Sequence, residues 1–178
     1  MKSALIVIDM LNEYDHEDAE VLVENVRAAL PAMRGLVERA PQAETPIVYV
    51  NDNYGDWGAG RPEIVERAMA GRGRDVVEPI APADGTWFIA KARHSIFYET
   101  QLEYLLREHE IERVVLVGQV TEQCILYSAL DAYVRHFTVA VPFDAVAGIH
   151  DDLADAALRM MERNMRADVA PAEAFALA

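Results

Sequence analysis

The chain has 178 residues, 52% of them hydrophobic, and its 30 acidic against 16 basic side chains give a formal net charge of −14. That is enough apolar material to fill one domain, expected to span residues 1–178, and no apolar stretch approaches the length of a membrane span. The acidic balance excludes nucleic acid as a partner, because phosphate contacts need clustered Lys and Arg, and the single cysteine excludes an internal disulfide framework. Together with the lack of a signal-peptide pattern at the N-terminus, this predicts a protein of the reducing cytoplasm.

Residues 4–8 form an apolar, largely β-branched run that predicts a buried strand ending at Asp9. Aspartate is poor within a strand, so one at the exit serves a site or caps the next element. Ala19 to Arg39 then carries Val21, Leu22, Val26, Leu30, Met33 and Val37 at helical spacing, one stripe of a long helix. A second strand near 46–50 runs into residues 51–60, a loop by its glycines and Asx residues that contains Asn53, Tyr54 and Trp57. Gly55, Gly58 and Gly60 in it have the wrong spacing for a dinucleotide fingerprint, and no P-loop sequence follows, so nucleotide binding is dismissed.

A third strand near 86–90 delivers Lys91. The chain has 14 arginines and only two lysines, so a lysine at a strand end points to a need for a compact ammonium. A plain Asp9–Lys91 ion pair at the sheet edge is the competing reading. Residues 98–109 predict a helix with Leu102, Leu105 and Leu106 inward. Strands near 113–117 and 138–142, a helix over 151–165 burying Leu153, Ala157, Met160 and Met161, and a weak strand near 167–170 complete the pattern. Six strands alternating with helices predict an α/β fold, a mostly parallel sheet covered on both faces.

Cys124 lies between the fourth strand, which ends at Gly118, and a helical run from Ile125 to Ala132. Thr121 or Glu122 can cap that helix, which puts the sulfur in its first turn, where the helix dipole favours thiolate. A lone cysteine is commonly an inert core residue; the strand–turn–helix setting, at the sheet edge where α/β folds build sites, raises the second reading. Asp9, Lys91 and Cys124 at three strand ends supply a base, a cation and a nucleophile.

Residues 4–14, 91–100 with Leu102, Leu105 and Leu106, and 117–125, followed by Asp131-Ala132 and Pro142 to Ala145, resemble the isochorismatase-like cysteine hydrolases, a family that includes nicotinamidases and carbamoylsarcosine-type amidases. The similarity runs from about residue 3 to about residue 170, and the three motifs in this order and spacing carry it. The resemblance implies a six-stranded doubly wound sheet of order 3-2-1-4-5-6, a Rossmann-like three-layer sandwich with its crevice between strands one and four. It implies Asp9, Lys91 and Cys124 as the catalytic triad. It also implies an oxyanion hole from the backbone N–H groups of Val120 and Cys124, a cis peptide between Gln119 and Val120, and a homodimer or homotetramer. Tyr14, Asn53, Tyr54 and Trp57 are expected to wall a substrate pocket.

Nicotinamidases of this family hold a metal with an aspartate and two histidines near residue 52. This sequence keeps Asp52 but has no histidine between His16 and His94, and its five histidines show no paired ligand spacing. No metal and no other cofactor is expected, and nicotinamide becomes a less favoured substrate. His94 reads as a polar packing residue rather than a ligand. The expected activity is hydrolysis of a small-molecule amide or related C–N bond through a thioester. The alternatives are a vinyl-ether hydrolase of isochorismatase type, against which Cys124 counts, and a non-catalytic binding module on the same fold.

Overall fold

The computed structural model describes residues 1–177. Its elements are β1 (Ser3–Ile8), α1 (Ala19–Arg39), β2 (Ile47–Asp52), α2 (Arg61–Ala70), α3 (Arg74–Val77), β3 (Trp87–Lys91), α4 (Leu102–Glu108) and β4 (Arg113–Gln119). After them come α5 (Leu126–Val134), β5 (Thr138–Pro142), β6 (Val146–Ala147), α6 (Asp151–Met165) and β7 (Asp168–Ala170). The strands lie in the order β3-β2-β1-β4-β5-β7, with β6 beside β4, and every pairing is parallel. No helix among the described residues is long and apolar enough to cross a membrane.

The expected six-strand order is present, but the sheet has seven strands rather than six. The extra one, β6, is two residues long and extends the β4 ladder at Gly118 and Gln119, past the last β4–β5 pair at Val115 and Ala140. Pro142 ends β5 because it has no N–H to donate, and the chain turns through Phe143–Ala145 before it returns to β4. A two-residue strand is too short to leave a periodicity in sequence.

Alternation divides the sheet between two cores. Along β1, Leu5 and Val7 join Tyr49, Val115 and Val117 under α1, α2 and α3. Ala4, Ile6 and Ile8 face the other way, with Val48, Val50, Val114 and Leu116, under α4, α5 and α6. A strand buried on both faces reads as a continuous apolar run, which is why β1 and β4 are so plain in the sequence.

Three helix expectations are corrected. The helix expected over 98–109 begins at Leu102, because side chains take the preceding amides and carbonyls: Ser95 Oγ accepts from Phe97 N at 3.2 Å and Thr100 Oγ1 donates to Ile96 O at 2.5 Å. In α6 the inward row is Ala157, Met161 and Met165, an i, i+4 stripe, while Leu153 and Met160 are about half exposed. In α1, Val21 faces solvent and Leu22, Val26 and Met33 are buried.

Gly118 permits the approach of β4 to β1 at the site end of the sheet. Its φ is +114°, and a Cβ there would lie 2.2 Å from the Ile8 carbonyl oxygen. Gly118→Ala is therefore expected to cost on the order of 3 kcal/mol, through strain and displacement of β1. Urea denaturation checks this, and wild-type stability would contradict the close approach.

Candidate active site

Register brings the site together. Ile8 lies opposite Val50 on one side and Gly118 on the other, and Asp52 lies opposite Lys91. The residues that leave these four strands, Asp9, Asp52, Lys91 and Gln119, therefore share one layer at the carboxyl edge of the sheet. Strand order reverses between β1 and β4, so the layer opens into the crevice expected of a doubly wound fold.

Lys91 is the hub. Its side chain has no solvent exposure, and its Nζ stands 2.9 Å from Asp9 Oδ2, 3.4 Å from Asp52 Oδ2 and 3.7 Å from Cys124 Sγ. A compact ammonium can serve three partners from different directions, as a planar guanidinium cannot. The competing reading, a plain Asp9–Lys91 ion pair, omits two of the three. Asp9 Oδ1 accepts the Asp52 amide at 2.7 Å, so both oxygens of Asp9 are directed.

A second network fixes the backbone under these groups. Asp9 has a left-handed φ of +54°, a conformation aspartate tolerates better than most residues. Its carbonyl accepts from Gln119 Nε2 at 2.6 Å, and Gln119 Oε1 accepts from the Tyr14 hydroxyl at 3.1 Å. Asn51 exchanges hydrogen bonds with Leu11, through Leu11 N to Oδ1 at 2.8 Å and Nδ2 to Leu11 O at 3.0 Å. Sequence reasoning missed Gln119, Asn51 and the position of Asp52 beside Lys91. Buried polar residues at strand exits were the signal available for all three.

The electrostatics follow from burial around one cation. Desolvation raises the Asp9 carboxyl, and the Lys91 charge only partly offsets it. Burial alone would lower the Lys91 ammonium, but Asp9, Cys124 and Asp52 outweigh it and leave it raised. Desolvation and then the Asp9 charge push the Cys124 thiol well up, against Lys91 and the Val120 amide. The expectation that the site favours thiolate is corrected here: burial and the Asp9 charge favour the thiol form of Cys124, which has the Asp9 carboxyl as hydrogen-bond partner.

The turn carrying Cys124 also differs from the expected capped helix. Residues Thr121–Ile125 form a single wide π turn ahead of α5, Val120 occupies the N-cap position, and neither Thr121 nor Glu122 caps it. Glu122 is recruited elsewhere: its Oε1 accepts from Ile149 N at 2.9 Å and His150 N at 2.8 Å, just before α6. That clamp ties the turn bearing the cysteine to the segment whose Ile149 lines the cleft. The Gln119–Val120 peptide is cis, and the Val120 amide faces the cysteine sulfur as a donor.

The layer lies at the floor of a cleft of about 810 Å³ bordered by Asp9, Asp52 and Cys124 below and by Asn53, Tyr54 and Trp57 from the loop after β2. Asn53 is buried, donates its amide to Lys91 O at 2.8 Å and accepts from Gly55 N at 3.0 Å. Tyr54 is 44% exposed, while its hydroxyl donates to Leu11 O at 3.0 Å. Trp57 is 82% exposed at the rim. Tyr14, expected in the wall, is instead fully buried beneath the site, where an aromatic ring with one polar end fits the core and Gln119. His94 does line the cleft, and it also packs edge-on against Tyr127 at 5.4 Å.

A nicotinamidase-type metal does not fit these residues. Asp52, the remaining member of that ligand set, is engaged by Lys91 and by the Tyr54 amide at 2.8 Å. Among the described residues no group of three or more His, Cys, Asp or Glu side chains is placed to hold a metal ion.

The uncharacterized isochorismatase family protein YaaI of Bacillus subtilis is 35% identical over 96% of this chain and 94% of its own. Maleamate amidohydrolase of Pseudomonas putida is 30% identical over 85% of this chain and 75% of its own. The crystal structure of N-carbamoylsarcosine amidase from Thermoplasma acidophilum superposes with a TM-score of 0.77 at 30% identity, over 98% of this chain and 99% of that one. The sequence model of the isochorismatase domain matches residues 3–174, and the chain belongs to the isochorismatase family, a family of hydrolases.

Proposed function

We propose that this protein is a cysteine hydrolase that cleaves an amide or related C–N bond of a small molecule through a covalent thioester, with Asp9, Lys91 and Cys124 as its triad. The observation that carries the reading is the placement of Lys91 Nζ between Asp9 Oδ2 and Cys124 Sγ, at 2.9 and 3.7 Å, on the floor of a cleft. The named activities of the maleamate and N-carbamoylsarcosine relatives support the C–N bond as the target. Cys124 counts against the vinyl-ether alternative, which needs no nucleophile.

Asp9 takes the thiol proton as the sulfur attacks the carbonyl carbon, and Lys91 stabilises the thiolate as it forms. The N–H groups of Val120 and Cys124 receive the developing oxyanion, a contribution of about 3 kcal/mol per donor. Collapse breaks the C–N bond while Asp9 hands its proton to the nitrogen, and ammonia or an amine departs. Asp9 then takes a proton from water, the hydroxide attacks the thioester, and the C–S bond breaks as Asp9 returns that proton to sulfur, giving the carboxylic acid, the thiol and the Asp9 carboxylate. A raised Asp9 suits it to both directions of transfer. Ammonia release across a panel of small primary amides tests the reading; no turnover of any amide by folded protein would defeat it.

The same reading places one catalytic domain in the reducing cytoplasm as a homodimer or homotetramer. The exposed Tyr127, Leu130, Tyr133 and Val134 of α5 support self-association, which sedimentation analysis would measure. Activity should survive exhaustive chelation unchanged, because Asp52 is committed to Lys91; loss on chelation with recovery on adding a divalent metal would contradict this. The acid limb of kcat/KM should fall above the 3.8 of an ordinary aspartate, because Asp9 must be ionised to accept the proton and its carboxyl is raised by burial. A pH–rate profile flat down to about pH 4 would remove Asp9 as the base.

A further inference from the structure

Arg93 lies two residues beyond Lys91 and lines the same cleft. Among the described residues it has no ion-pair or hydrogen-bond partner. The other arginines are paired with a carboxylate or a carbonyl, except Arg159, Arg163 and Arg166 on or just after α6. In a protein of net charge −14, an unpaired arginine lining the reactive cleft is suited to an anion.

The remaining charges in the cleft sharpen the point. Asp9 and Asp52 share Lys91, whose side chain is wholly buried and has no face left for a ligand. Asp18 also lines the cleft, with His16 and His94. Arg93 is thus the lining residue that offers a free positive fork, and a neutral substrate would leave it unused.

We propose that Arg93 forms an anion subsite and that the substrate is a small amide carrying a carboxylate, gripped by the guanidinium while its carbonyl lies over Cys124. This rests on the hydrolase reading above. Cys124 and Arg93 line one cleft, so a short molecule seated in it can meet both the reactive floor and the fork. Arg93 is solvent-exposed, and its guanidinium gains strength as a ligand excludes water from it.

The test uses ω-amides of two to six carbons, each as the carboxylate and as its near-isosteric diamide, such as succinamate with succinamide. Wild-type protein should favour the carboxylate by about 10- to 100-fold in kcat/KM. Arg93→Ala should collapse that preference to within a factor of about three, and Arg93→Lys should retain part of it. A binding readout stands apart from turnover: succinate or glutarate should protect Cys124 from iodoacetamide in wild type and not in Arg93→Ala. Turnover without a carboxylate preference, a preference that persists in Arg93→Ala, or no protection by either dicarboxylate overturns the subsite. Arg93-dependent protection with no amide turned over leaves the subsite standing and defeats the hydrolase reading instead.

Discussion

Replacing Cys124 by alanine, or Asp9 by asparagine, is expected to lower turnover by about 10⁴-fold or more in each case. The two together should be no slower than the slower single variant. The reason is that proton transfer and carbon–sulfur bond formation are one event in the proposed step: a nucleophile without its base and a base without its nucleophile lose the same thing. The placement makes this coupling concrete, since the thiol has Asp9 as its hydrogen-bond partner and burial with the Asp9 charge holds it above its ordinary range. Single-turnover and steady-state rates on the four proteins check the expectation. Losses that multiply in the double variant would mean the two residues act in separate steps.

Lys91→Met is expected to abolish activity and to cost about 3–5 kcal/mol of stability at neutral pH. Lys91 has no exposed side-chain surface and neutralises a carboxylate that is itself buried, so its removal strands the Asp9 charge. The pH dependence has a definite sign. In wild type the Lys91 ammonium is raised, so its contribution is complete below about 10 and is lost only as pH rises through its folded value. Without it the Asp9 carboxyl, already raised by burial, rises further. Below the ordinary aspartate range Asp9 is protonated in both states and the penalty vanishes; above that range it grows. Urea denaturation at about pH 4.5 and pH 8 should therefore find the larger loss at pH 8. Equal losses at the two values would mean that Lys91 stabilises by packing alone.

What the sequence made legible, and what it hid, follows from period and range. Strands β1 and β4 stand out because both faces are buried, and residues 4–8 and 114–117 are unbroken apolar runs. Asp9 and Lys91 stand out because each breaks such a pattern at a strand exit, and Cys124 because it is the single cysteine, set in the turn between β4 and α5. Tyr14 and Asn51 do not, because their work is a hydrogen bond across the fold, Tyr14 to Gln119 over 105 residues and Asn51 to Leu11 over 40. The thiol was misjudged for a similar reason. A helix-dipole argument is local, whereas the burial and the Asp9 charge that raise the thiol come from packing of the whole sheet edge. Glu122 looked like a cap because it precedes a helix, but the amides it satisfies are those of Ile149 and His150.

The most direct test of the account is a search for the acyl-enzyme. Wild-type protein mixed with an amide it hydrolyses, quenched in acid within the first turnover and digested, should carry the acyl group as added mass on the peptide containing Cys124. The same peptide from protein quenched before mixing, and the corresponding peptide of Cys124→Ala after mixing, should carry none. Hydrolysis that continues in Cys124→Ala with no acyl adduct on any peptide of the wild type would contradict the thioester and remove Cys124 from the chemistry.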